Sequence, residues 1–172
     1  MLRKLDENLW VAEQPLNYMG LAVGTRMTVI RLADGGLWLH SPIRPTPPLR
    51  EAVEALGPVR FLVAPNKYHH LFIGDGEVVF FHRASRTLVL TDSAHNVGPD
   101  AAPLTRFVFK VFGGYGRLSA WVVDRLINRD RAAARRTVDT ILQWDIQRVI
   151  LAHGHIVERD GAQAFREAYS WL

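Results

Sequence analysis

The chain has 172 residues, 48 % hydrophobic and 22 % charged, with a formal charge of +4. These proportions suit one globular domain and exclude a disordered chain, a collagen repeat and a coiled-coil rod. Cysteine is absent, which excludes disulfides, thiolate metal sites, iron–sulfur clusters and a thiol nucleophile, so a transition metal must sit on His and carboxylates. Met1 to Trp10 is charged and lacks the apolar core of a secretory signal. No run approaches the ~20 apolar residues of a membrane span, and the expected location is the cytoplasm.

Leu9–Val11 reads as a first short strand. Met27–Leu32 is rich in β-formers, and Asp34-Gly35-Gly36 turns it back into Leu37–His40 as a hairpin. Ser41–Pro48 holds four prolines and is a loop. Pro48 opens a helix over Leu49–Leu56 that Gly57 closes. Val59–Ala64 is apolar without alternation, the pattern of a strand buried on both faces. Pro65–Asp75 is irregular. Glu77–Phe81 and Thr87–Thr91 form a second hairpin around Arg83–Arg86, and Asp92–Pro103 is turn-rich. Leu104–Phe112 reads as an apolar, aromatic helix ending at Gly113-Gly114. Ser119 caps a helix over Ala120–Asn128, and Asp130 caps another over Arg131–Trp144. In the latter, Ala134, Val138, Ile141 and Leu142 share one face. Arg148–Ala152 is a buried-type strand. Gly161–Trp171 is a final helix with Ala162, Phe165 and Ala168-Tyr169 inward. Hairpins first and helices interleaved later predict an α/β or α+β domain with a largely covered sheet.

The seven histidines are His40, His69, His70, His82, His95, His153 and His155. Strand 37–40 ends at His40, and strand 59–64 runs into Asn66, Lys67, His69 and His70. Strand 87–91 runs into Asp92 with His95 nearby, and strand 149–152 into His153-Gly154-His155. Sites in layered α/β folds gather at the carboxyl ends of strands, so these segments converge as candidates. His82 sits at the turn end of its hairpin, roughly 17–20 Å from the end bearing Asp92, and is left out. Each candidate also has a structural reading. His69-His70 can be a surface or hydrogen-bonded pair, Asp92 an Asx-turn residue, and His153-Gly154-His155 a turn with solvated rings.

The phrases Gly24-Thr25-Arg26-Met27-Thr28, His40-Ser41-Pro42, Ala64-Pro65-Asn66-Lys67-Tyr68-His69-His70, Ser85-Arg86-Thr87-Leu88, Gly114-Tyr115-Gly116-Arg117 and Ala152-His153-Gly154 span nearly the whole chain. In content and order they resemble the metallo-β-lactamase superfamily, and within it a branch of unknown function. The superfamily's His-x-His-x-Asp-His motif lies on Pro65 to His70. Pro65 and Lys67 stand at the first two His positions, His69 replaces the Asp, and His70 matches the last His. Asp92 matches the metal-bridging Asp and His153 the final His, while the middle His motif has no counterpart. Gly74-Asp75-Gly76 joins directly to the second hairpin where the branch carries a longer segment. The resemblance implies one reduced domain over 1–172, lacking a segment near 75–76, built as a layered sheet-and-helix sandwich.

The resemblance also implies metal-activated water attacking an ester, amide or phosphate. Lys67 would repel a first metal, which leaves one zinc, iron or manganese on His70, Asp92 and His153. Three protein ligands plus water is the pattern of catalytic zinc. His69 or His40 would serve as fourth ligand, supporting hydrogen-bond partner or general base, and Lys67 would hold an anionic group or oxyanion. The alternative is a non-catalytic relic without metal that binds a small anion or partner. In that reading Leu104–Phe112 serves an interface, such as a homodimer through 104–118, or a membrane surface; it can equally pack a core. Arg129, Arg131, Arg135 and Arg136 are diluted by Asp130 and Asp139 and read as a solvated face, so no nucleic acid is expected. The expected partner is a small-molecule substrate or ligand.

Overall fold

In the computed structural model, which describes residues 1–65, 78–120, 122 and 130–172, three sheets form. The order along the chain begins β1 (Leu2–Asp6), β2 (Leu9–Gln14), β3 (Asn17–Tyr18), β4 (Leu21–Ala22), β5 (Thr25–Arg31), β6 (Leu37–His40), α1 (Pro47–Glu54) and β7 (Val59–Val63). It continues with β8 (Phe80–His82), β9 (Thr87–Val89), α2 (Pro103–Phe112), α3 (Arg131–Ile141), β10 (Arg148–Ile150) and α4 (Gly161–Ala168). The first sheet runs β1-β2-β5-β6-β7, the second β10-β9-β8, and β3-β4 make a small hairpin. β6 and β7 are parallel, as are β9 and β10, while β5 is antiparallel to β6.

The central strand β5 shows how the layers arise. Successive strand side chains point to opposite faces. Met27 and Val29 join Ala12, Leu37, Leu39, Leu49 and Val53 in a cluster under α1. Ile30 joins Leu9, Val11 and Ile150 on the other face, where the second sheet arrives. Beyond it, Leu88, Leu90, Val149 and Leu151 pack against Val138 and Ile141 of α3 and Phe165 and Ala168 of α4. The result is α1, sheet, sheet, and α3 with α4: the layered α+β sandwich expected from the sequence.

Local signals place several elements. Gly35 takes φ +81° in the β5–β6 turn. The Asp130 carboxylate accepts from the Ala133 N–H at 2.8 Å and caps α3. Gly113, at φ +97°, ends α2.

Three expectations need correction or addition. β7 is not buried on both faces: Val59, Phe61 and Leu62 are exposed. Among the described residues it stands at the sheet edge and pairs with β6 alone, and an apolar run does not reveal which strands will flank it. β1, β3 and β4 were not anticipated, because they are short or rich in charge. The helix expected over 120–128 lies, apart from Ala120 and Val122, outside the described residues.

Candidate functional site

The β9–β10 pairing continues past both strands, with Leu90 N–H donating to Ile150 at 2.8 Å and Ala152 N–H to Thr91 at 3.3 Å. Asp92 and His153 therefore leave neighbouring strand ends together. His153 Nε2 lies 3.1 Å from Asp92 Oδ1, and its Nδ1 donates to the Gly24 carbonyl at 2.6 Å. Gly24 immediately precedes β5, so this one ring joins the two sheets.

His95 supports the pair from the side. Its ring stacks on His153, centroids 6.1 Å apart and planes 7° from parallel, and meets Phe109 at 5.5 Å. Two backbone bonds of 3.0 Å with Ser119 hold it. Gly114 permits this packing, since a Cβ there would stand 3.1 Å from His95 Cβ. Burial pushes His95 down to about 4, the neighbouring His153 adds to the fall, and Asp92 opposes it. His95 is thus neutral at physiological pH.

A groove of about 870 Å³ runs along Gly24, Arg26, Ala152 and Gly154. His155 and Asp100 also line it, His155 Nε2 donating to Asp100 Oδ1 at 2.6 Å, whereas Asp92 and His153 do not.

His40 ends β6 on the same side of the first sheet as the start of β5, opposite Thr28 and Val63. It is 1 % exposed, stacked on Trp38 at 5.3 Å and edged by Phe80 at 5.6 Å, with Nδ1 3.3 Å from Ser41 Oγ. Lys67, His69 and His70 lie outside the described residues. Among the described residues no group of three His, Cys, Asp or Glu could hold a metal ion. His82 bonds Ser85 Oγ at 2.6 Å, in the β8–β9 turn and away from Asp92.

Sequence reasoning did not anticipate the parts played by Gly24, Arg26 and the His95 ring. A signal existed for Arg26, an arginine inside an apolar strand, since charged residues are rarely buried unless paired.

Residues 6–75 match the family model described as "Domain of unknown function (DUF4336)". Comparison with curated proteins finds no match. Among solved structures, a metallo-β-lactamase from Pontibacter korlensis superposes with a TM-score of 0.56 at 10 % identity, covering 99 % of this chain and 98 % of that one. The DIM-1 metallo-β-lactamase exposed to ceftazidime gives 0.49 at 13 % identity, covering 99 % and 96 %. FIM-1 from Pseudomonas aeruginosa in its mono-zinc form gives 0.47 at 9 % identity, covering 99 % and 94 %. At such identities the likeness is one of architecture: this chain has a metallo-β-lactamase-like α+β fold.

Proposed function

We propose that the chain is a single-metal hydrolase of an ester or phosphoester, with Asp92, His153 and His70 as ligands. The observation that carries this reading is the His153 ring. The Gly24 carbonyl only accepts, so Nδ1 carries a proton. In the neutral ring Nε2 then presents a lone pair, 3.1 Å from an Asp92 oxygen. Atoms so placed can share a proton or a cation. An imidazole whose other nitrogen is held by a carbonyl, beside a carboxylate, is a donor set suited to zinc. His70 is assigned by sequence alone.

When bound, such an ion lowers the pKa of its water to ~7 and polarises the scissile group. The chain's own residues do the rest. Gly24 sets the His153 tautomer, and His95 adds no positive charge at neutral pH. His40, sealed against Trp38, suits support rather than proton transfer. Lys67 takes the anion-binding part and His69 the proton-transfer part on sequence grounds.

The test is metal content by mass spectrometry on protein purified without chelator or nickel, followed by zinc titration. About one zinc per chain is expected, with affinity falling ~100-fold or more in Asp92→Asn and in His153→Gln. A wild-type protein that takes up no metal from excess zinc overturns the reading.

A second reading, of a non-catalytic protein that works by association, is favoured by α2. Leu104, Phe107, Val111 and Phe112 are 57, 64, 58 and 43 % exposed and share one helical stripe. If this stripe mediates a homodimer, sedimentation should show a concentration-dependent dimer that Phe107→Glu abolishes. A monomer at every concentration sinks that reading.

A further inference from the structure

We infer that Arg26 is the positioning residue of this centre: its guanidinium holds the turn after β10 so that His153 meets Gly24 and Asp92 together. The inference rests on the proposed site for its purpose, but its geometry stands independently. Arg26 lies in β5 and is 7 % exposed. Its Nε donates to Glu13 Oε1 at 2.8 Å, Nη2 to the Gly154 carbonyl at 2.6 Å, and Nη1 to the Leu151 carbonyl. Those two carbonyls bracket Ala152 and His153. Gly24, two residues before Arg26, accepts from the His153 ring itself. One short segment of the first sheet thus grips the turn of the second at three points, all within one residue or two of the His153 ring.

The residue type follows from the task. A planar fork with five donors can serve two carbonyls and a carboxylate at once, whereas an ammonium is a point charge on a flexible stem. Burying the cation is costly unless it is hydrogen-bonded, and here each of its three nitrogens donates, to Glu13 and to two carbonyls. A pin that only fastened the sheets could bond anywhere along β10. This one bonds on both sides of the residue whose ring must point two ways.

The experiment compares wild type, Arg26→Gln, Arg26→Lys and Glu13→Gln in the full chain. One readout is the long-range ¹H–¹⁵N spectrum of the histidine rings without metal, which distinguishes a fixed Nδ1–H tautomer from an exchanging ring. The other is zinc affinity by competition with a chromophoric chelator. In Arg26→Gln the single His153 tautomer is expected to be lost and zinc affinity to fall ~10–100-fold. Arg26→Lys should fall between it and wild type. Glu13→Gln, which keeps both carbonyl bonds, should match wild type.

An Arg26→Gln protein that melts earlier but keeps the tautomer and the affinity overturns the inference. So does a Glu13→Gln loss equal to that of Arg26→Gln, which would assign the effect to the ion pair. Should the glutamine variant not fold, an unchanged tautomer and affinity in Arg26→Lys overturn it equally. If the wild type binds no zinc, the hydrolase proposal fails while the tautomer still decides the role of Arg26.

Discussion

Lowering the pH from 7 to 5 is expected to cost the fold about 2 kcal/mol through His95 alone. The folded protein holds this ring neutral until about 4, because burial and the adjacent His153 disfavour its charge more than Asp92 favours it. An unfolded chain takes up the proton near 6.5. The contribution is therefore intact above pH ~6.5, falls as the pH drops from there toward ~4, and is lost below, about 3 kcal/mol in total. Burial lowers His82 as well, so it adds its own loss in the same window, while the carboxylates act lower on the scale. Asp6 is held below its ordinary value by the Glu7 backbone N–H, and Asp100 by the His155 hydrogen bond. Their contributions are present above ~4 and fade only in stronger acid. Denaturant unfolding at pH 7, 6 and 5 with chelator present separates these windows. His95→Gln should be less stable at pH 7 yet lose the His95 share of the slope between pH 7 and 5, leaving the share that His82 supplies. Equal slopes in variant and wild type would mean that His95 is not the group responsible.

Gly154→Ala is expected to cost about 3 kcal/mol or more, a loss typical of strain combined with a backbone clash. Gly154 has φ +83°, and a Cβ there would stand 2.3 Å from the Asn96 carbonyl oxygen and 2.6 Å from its carbon. That backbone has little room to yield. Asn96 O accepts from His155 N–H at 2.7 Å, and Val97 N–H donates to Gly114 at 2.7 Å. Gly116 supplies the control. It also has a positive φ, +69°, but a Cβ there meets nothing within 4 Å. Gly116→Ala should cost only the left-handed penalty, about 1–2 kcal/mol. Thermal melts should show Gly154→Ala lower by about 6–12 °C, and Gly116→Ala by a smaller amount. Equal losses would show that crowding against Asn96 carries no energy. Gly154 also supplies a carbonyl to Arg26, so its alanine variant should weaken zinc binding where the Gly116 variant does not.

Much of this molecule was legible along the chain, where the information is local. The Asp34-Gly35-Gly36 turn marked the β5–β6 hairpin, since φ +81° at Gly35 favours glycine. Asp130 marked the start of α3 because a carboxylate satisfies an orphan helix N–H. Phe165 and Ala168 fell on the inward side of α4 through helical period. Asp92 and His153 stood out as polar residues at the ends of apolar runs, and the structure brings them to 3.1 Å.

What tertiary structure alone decided were facts about neighbours. Val59–Val63 has the same pattern whether a strand lies beside it or water does, and among the described residues it stands at the sheet edge with Val59, Phe61 and Leu62 exposed. His95 has no local feature that predicts a neutral ring; that follows from His153 and Phe109 packing on it. Gly24 and Arg26 reach Gly154 and His153 across about 130 positions of sequence. Periodicity and turn chemistry report only on nearby residues, whereas the burial of a charge and the tautomer of a ring are set by atoms brought from the other sheet.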